Sequence, residues 1–208
     1  MCAGQGKDSS DMSLYGIGKA LSRMYFSLSM RVRVIGRENI PETGPVLLCS
    51  NHISNLDPVL VGSHMKRSLN FMAKEELFEN KTAGALLKRL GAFPVKRGSS
   101  DRRALKKGLG LLDDGHVLCL FPEGTRSKTG EIKSGLAGSG FFALRSKASI
   151  VPVVVIGSYK LFGRMTVIYG PPVDMDSMRA RKADAAEATE MIMEHIRGLK
   201  KEHMEQSR

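Results

Sequence analysis

The sequence contains no tryptophan, and aromatic residues fill only 6% of its 208 positions. Basic proteins that read RNA commonly interleave aromatics for base stacking, so this scarcity counts against a nucleic-acid partner, and none is expected. Cysteine is nearly as scarce: Cys2, Cys49 and Cys119. Three thiols cannot all pair, two lie in apolar runs, and none has the spacing of a zinc ligand. They read as reduced thiols of a cytosolic protein. No apolar run approaches the roughly 18 residues of a spanning helix; the longest, Ile150 to Ile156, is interrupted by Pro152 and reads as strand. Also missing are an uninterrupted signal-peptide core, a serine nucleophile elbow, a His/Cys cluster and a Walker-type loop. The glycine-rich segment Gly135 to Gly140 lacks the required lysine and preceding strand. Neither a metal nor a cofactor is expected.

Cations, by contrast, are in excess. Thirty-two Lys and Arg against 21 Asp and Glu give a formal net charge of +11. Such a chain attracts polyanions or anionic membrane surfaces. With 42% hydrophobic residues it has material for one core, and its length fits one domain with at most an appendage.

Short apolar runs alternate with helical patterns. Strands are expected at Met30–Val34, Val46–Cys49, Leu69–Met72, Phe93–Val95, His116–Phe121, Ile150–Ile156 and Met165–Tyr169. Helices are expected from near Ser54, at 74–79, 82–90, 102–113 and 136–146, and from about 179 to 205. This alternation predicts a single α/β domain, a mixed central sheet flanked by helices. Ahead of it, Leu14, Ile17, Leu21, Met24, Tyr25 and Leu28 recur at helical spacing, with Lys19 and Arg23 off the stripe. Residues 1–29 are therefore read as a disordered leader of about ten residues followed by a membrane-associating amphipathic helix, and 30–208 as the main domain.

Two strand ends carry reactive side chains. Val46–Cys49 runs into Ser50-Asn51-His52-Ile53-Ser54-Asn55-Leu56-Asp57-Pro58. Alone, a His and an Asp five apart read as surface residues. At a strand end opening onto a helix they stand where α/β sheets place ligands. Five residues on a helix set side chains about 140° apart. His52 must therefore lie in the turn before the helix if Asp57 is to reach back, fix one ring nitrogen and leave the other basic. Asn51 reads as a turn-former. The second strand, Val117–Leu120, runs into Phe121-Pro122-Glu123-Gly124-Thr125-Arg126-Ser127, which puts an acid, a hydroxyl and a guanidinium at the sheet edge. Arginine suits a phosphate because its planar fork donates two parallel hydrogen bonds. A third segment, Gly91 to Gly98, delivers Lys96 and Arg97 after a short strand. By itself it reads as a solvated charge pair, just as Val151-Pro152-Val153 reads as core strand.

Taken in order, these four segments resemble the motif blocks of the glycerolipid acyltransferases, best those of bacterial 1-acylglycerol-3-phosphate acyltransferases. The resemblance covers roughly residues 20 to 175, and Ile35 to Pro41 and Lys133-Ser134-Gly135 look like family features too. It implies that His52 is a general base and Asp57 its orienting partner. Glu123, Gly124, Thr125 and Arg126 match the block that binds the glycerol-phosphate end of the acceptor, and Arg97 the second block's phosphate-binding arginine. Lys96 and Lys133 are possible further ligands. The chain departs from the family in having Pro94 where an aromatic is common and Lys96 where many members have an acid. The implied reaction moves an acyl group from a thioester, acyl-CoA or acyl-carrier protein, to the sn-2 hydroxyl of 1-acylglycerol 3-phosphate, yielding phosphatidate. It needs a base and an oxyanion site, for which backbone N–H groups near Gly124 are candidates, and no metal. The implied partners are a lysophospholipid, the thioester donor and an anionic membrane surface, with the protein peripheral on the cytoplasmic face of the cell membrane. Glycerol 3-phosphate or another lysolipid as acceptor, and a non-catalytic basic membrane-binding module, are the alternatives.

Overall fold

A computed structural model describes residues 9–96 and 101–206, with side chains from Tyr15 onward. Seven strands form one sheet in the order β1-β7-β6-β2-β5-β3-β4. They are β1 Arg31–Ile35, β2 Val46–Ser50, β3 Leu69–Lys74, β4 Ala92–Val95, β5 Val117–Leu120, β6 Ser149–Gly157 and β7 Arg164–Tyr169. All neighbouring pairs are parallel except β6 with β7, so the sheet is mixed, as expected. At its centre β2 is Val-Leu-Leu-Cys-Ser, buried at every position. A strand covered on both faces has no reason to alternate. Edge strand β1 alternates exposed Arg31 and Arg33 with half-buried Val32 and Val34.

Helices cover both faces. On one side Val46 and Leu48 pack with Phe26, Leu60 and Val61 from α1 Ser9–Ser29 and α2 Asp57–Ser63, and α3 Lys81–Arg89 joins them through Leu87. On the other, Leu47, Cys49 and Leu118 pack with α4 Arg102–Asp113, α5 Gly138–Arg145, α6 Asp176–Ala180 and α7 Ala185–Gln206. The Cys49 and Cys119 thiols are free and buried, and burial pushes Cys49 up to about 12. Cys2 lies outside the described residues.

Three expected elements differ. Residues 74–79 form only a short 3-10 turn, Glu75–Phe78. The helix expected near Ser54 begins at Asp57, because the Asp57 carboxylate draws in the Ile53 and Ser54 amides and holds that stretch as a loop. The C-terminal helix is split: Lys182 adopts a positive φ between α6 and α7, and Asp184 accepts the Ala186 amide at the second start.

The α5–α7 contact depends on closeness. Thr189 Oγ1 accepts the Gly140 amide at 2.9 Å, and a Cβ on Gly140 would meet the Ala185 carbonyl oxygen at 1.9 Å. Gly140→Ala should therefore push the two helices apart. Overpacking of this kind costs about 1–3 kcal/mol, a melting temperature lower by about 2–4 °C per kcal/mol, measurable by calorimetry.

Candidate active site

The parallel strands β2 and β5 both end at one edge of the sheet, and the loops that follow them build a single site. His52 occupies the turn before α2. Its Nδ1 lies 2.7 Å from Asp57 Oδ2. The same oxygen accepts the amides of Ile53 at 2.7 Å and Ser54 at 2.8 Å. Asp57 Oδ1 accepts the Tyr159 hydroxyl at 2.7 Å. Asp57 is fully buried and ringed by donors. It can only accept, so Nδ1 carries the imidazole proton and Nε2 keeps its lone pair. Nε2 makes no hydrogen bond among the described residues. The ring stacks on Phe121, centroids 4.0 Å apart, which fixes its plane.

The second loop clasps the first by its backbone. Glu123 Oε1 accepts the His52 amide at 3.1 Å, Oε2 accepts the Lys133 amide at 3.1 Å, and the Ser127 amide donates to the His52 carbonyl at 2.7 Å. Glu123 is buried, and both its oxygens are committed inside the protein. Gly124 has φ +66 and donates its own amide to the Phe121 carbonyl at 3.0 Å. That amide is thus engaged, so among the backbone N–H groups near Gly124 this one is committed inside the loop. Thr125 and Arg126 stand exposed, neither side chain bonded among the described residues, beside the Ser127 that touches His52.

The other expected ligands are more dispersed. Lys96 caps the outer strand, three strands from β2, a lateral offset of about 14 Å at normal strand spacing. Its ammonium lies 3.6 Å from Glu75. The Lys133 side chain is exposed and lines an open groove with Arg197, Lys200 and Lys201. Arg97 lies outside the described residues. No group of His, Cys, Asp and Glu suited to a metal occurs among the described residues.

Several contributors were not legible in the sequence. Asn51 is no local turn-former: its side chain accepts the Val155 amide at 2.7 Å and donates to the Val155 carbonyl at 3.0 Å. It prolongs the β2–β6 pairing past the end of β2, which steadies the residue before His52. Tyr159 is 102 residues from its partner Asp57, so no spacing betrays it. Burial, with the Asp57 charge second, pushes the Tyr159 hydroxyl well above its ordinary range, so it stays a donor. Ser127 Oγ is the one buried side-chain polar atom without a partner among the described residues. Its place in the Phe121–Ser127 loop was the only available signal.

Replacing Glu123 by Gln keeps the size and exchanges one acceptor for a donor. One of the two amides, His52 or Lys133, then loses its acceptor. A buried unpaired amide costs about 1–3 kcal/mol. Glu123→Gln should therefore lower the melting temperature and turnover together, checked by thermal denaturation and steady-state kinetics on the same preparation.

The family model described as Acyltransferase matches residues 31–156. A 1-acyl-sn-glycerol-3-phosphate acyltransferase of Bacillus subtilis is 31% identical over 85% of this chain and 92% of its own length. The enzyme of the same name from Borreliella burgdorferi is 30% identical over 64% of this chain. This chain spans about half of that longer relative, 54%. Among solved structures, the 1-acyl-sn-glycerophosphate acyltransferase PlsC from Thermotoga maritima superposes with a TM-score of 0.72 over 95% of this chain and 84% of its own. At 22% identity that likeness speaks for the fold. Two loops built around His52 and Glu123, on a sheet of this order and within a match of this extent, lead to one conclusion: the chain belongs to the acyltransferase family.

Proposed function

We propose that the protein transfers a fatty acyl group from a thioester to the sn-2 hydroxyl of 1-acylglycerol 3-phosphate, forming phosphatidate. The observation that carries the chemistry is the buried His52–Asp57 hydrogen bond with Nε2 left free. The names of the Bacillus and Borreliella relatives support the acceptor. In the step itself, His52 Nε2 takes the proton of the acceptor hydroxyl as its oxygen bonds to the thioester carbonyl carbon. The tetrahedral oxyanion collapses, the C–S bond breaks, and the imidazolium returns the proton to the departing thiolate. Asp57 holds the ring and balances its transient charge. Arg126, exposed and unpaired one residue from the His52 contact, supplies the cation for the acceptor phosphate, with Thr125 beside it and Arg97 completing the charge. The donor is acyl-CoA or acyl-carrier protein.

A second acceptor class has one specific observation behind it. A lyso-ornithine lipid O-acyltransferase of Pseudomonas aeruginosa is 31% identical over 69% of this chain, which spans 53% of that relative. That acceptor has no phosphate, so a panel holding both lysolipids, offered with both thioester types, separates the readings.

The substrate is a lipid, and no helix among the described residues is long and apolar enough to cross a membrane. Helix α1 meets the need differently. It docks on the domain through Tyr15, whose hydroxyl accepts the Leu69 amide, and through buried Phe26. Lys19, read from the sequence as off the stripe, donates to the Lys66 carbonyl, and burial holds its ammonium below the usual lysine range. The stripe of Ile17, Leu21, Met24, Tyr25 and Leu28 faces away, each residue more than half exposed. Such a stripe lies in the headgroup plane of a bilayer, and nearby Arg23, Arg31 and Arg33 suit an anionic one. The stripe supports a peripheral attachment, which we place on the cytoplasmic face as the family resemblance implies.

His52→Ala should cost about 10²–10⁴-fold in turnover while leaving the fold intact. Asp57→Asn should cost about 10²-fold or more, since the amide removes the charge that steadies the imidazolium. Near-normal turnover in folded His52→Ala protein overturns the mechanism. Arg126→Ala should raise the apparent KM for the phosphorylated lysolipid and spare that for the thioester. Arg126→Lys should recover only part, because an ammonium lacks the bidentate fork. A rise confined to the thioester assigns this arginine to the donor instead.

A further inference from the structure

Among the described residues, the turn between β6 and β7, residues 158–163, carries the most exposed large apolar side chains outside α1. Leu161 is 71% and Phe162 is 72% exposed. Phe162 has φ +59, a left-handed conformation that a bulky residue adopts only when its surroundings impose it. Here they do. The Phe162 amide donates to the Ser29 carbonyl at 2.6 Å, Gly163 to the Lys160 carbonyl at 2.8 Å, and Arg31 to the Gly163 carbonyl at 2.8 Å. The turn is therefore stitched to the end of α1, next to Leu28, itself 72% exposed. Its strained backbone holds an aromatic ring out from the protein, where no described residue covers it.

Charge identifies what does. Lys160 and Arg164 flank the two apolar residues, and Arg31 stands in register beside Arg164 on β1; all three are exposed. An apolar tip inside a ring of cations matches an anionic bilayer, with hydrocarbon for the ring and headgroups for the charges. We propose that the β6–β7 turn is a second membrane-contact element, inserting Leu161 and Phe162 beside the α1 stripe. It rests on the lipid-surface reading of the function and adds a contact separate in sequence. It also has a consequence for the site. Tyr159, second in this turn, packs its ring against Phe26 of α1, centroids 6.4 Å apart, and donates to Asp57. The element that meets the bilayer is thus fastened to the residue that orients His52.

The absence of tryptophan makes a direct test available. Phe162→Trp and, separately, Leu21→Trp place one reporter each on the turn and on α1 of the full chain. Vesicles of equal parts phosphatidylglycerol and phosphatidylethanolamine should shift the emission of the Phe162→Trp protein to shorter wavelength. Lipids brominated on their acyl chains should quench it, and neutral phosphatidylcholine vesicles should shift it less. Leu161→Asp with Phe162→Asp should weaken binding to the anionic vesicles by about tenfold or more, with an unchanged melting temperature. If the Phe162→Trp emission stays unmoved while Leu21→Trp responds, the turn proposal fails and the α1 reading stands. If both stay unmoved, both fail. A response at 162 alone keeps the turn and removes α1. A shift that grows with protein concentration and without lipid means that a second copy covers the turn, and overturns the proposal.

Discussion

The Asp57 carboxylate has no contact with solvent, and burying such a group costs several kcal/mol unless hydrogen bonds replace its water. Its replacements come from four places: the His52 ring, the Ile53 amide, the Ser54 amide and the Tyr159 hydroxyl. Each does a second task. The two amides shape the loop and delay the start of α2. The imidazole is set in the tautomer that leaves Nε2 basic. The hydroxyl ties the far end of β6 to the loop after β2. Removing the carboxylate would therefore release the loop, the helix start and the β6–β7 turn together, not merely a charge beside a histidine.

A second carboxylate does the complementary work. Glu123 grips the backbone of His52 as Asp57 grips its ring. Backbone and side chain of one residue are thus held by separate acids, one at the start of α2 and one in the loop after β5, with Phe121 stacked on the ring and Ser127 against the carbonyl. The base proposed at His52, positioned on all sides, needs no ordering before it reacts, which is where much of the advantage of a bound geometry lies. Thr125 and Arg126, which have no such commitments, are free to meet a substrate.

The sequence made much of this visible, for physical reasons that also explain what stayed hidden. Continuous apolar runs as short as Val46–Cys49 and Val117–Leu120, closed by turn residues, read as strands buried on both faces, so the α/β sheet was legible and the ends of β2 and β5 stood out. His52 and Asp57 are near in sequence, and helical geometry alone placed His52 before the helix. Contacts across the fold carry no such signal. Tyr159 and Asn51 act at separations of 102 and 104 residues. For Glu123 the sequence revealed the residue and its place at the sheet edge, yet not that backbone amides would occupy both oxygens. Helix α1 shows another limit of periodicity. Its stripe was correctly seen as apolar, but which side faces the domain was decided by Tyr15, Gly18, Ser22 and Phe26. Gly18 lies on that docked side, where a Cβ would make ordinary contact with Leu90 at 3.6 Å. Lys19 follows that docked face and is lost to the solvent side.

Strand direction explains why the site and the proposed membrane surface share an edge. Because β6 runs parallel to β2, its C-terminal end lies on the same edge as His52. Strand β7 returns antiparallel to β6, and β1 runs parallel to β7, so both start at that edge. The end of α1 and the β6–β7 turn are thereby brought to the level at which the catalytic loops emerge. For an acceptor whose acyl chain sits in a bilayer, this arrangement shortens the path: the hydroxyl needs to rise only as far as the sheet edge to meet Nε2. The hydrophobic cost of drawing a lipid fully into water, about 0.8 kcal/mol per methylene, is then largely avoided. The one antiparallel pairing of the sheet, β6 with β7, thus does more than finish it, since it turns the chain back at the edge where the loops carrying His52 and Glu123 emerge.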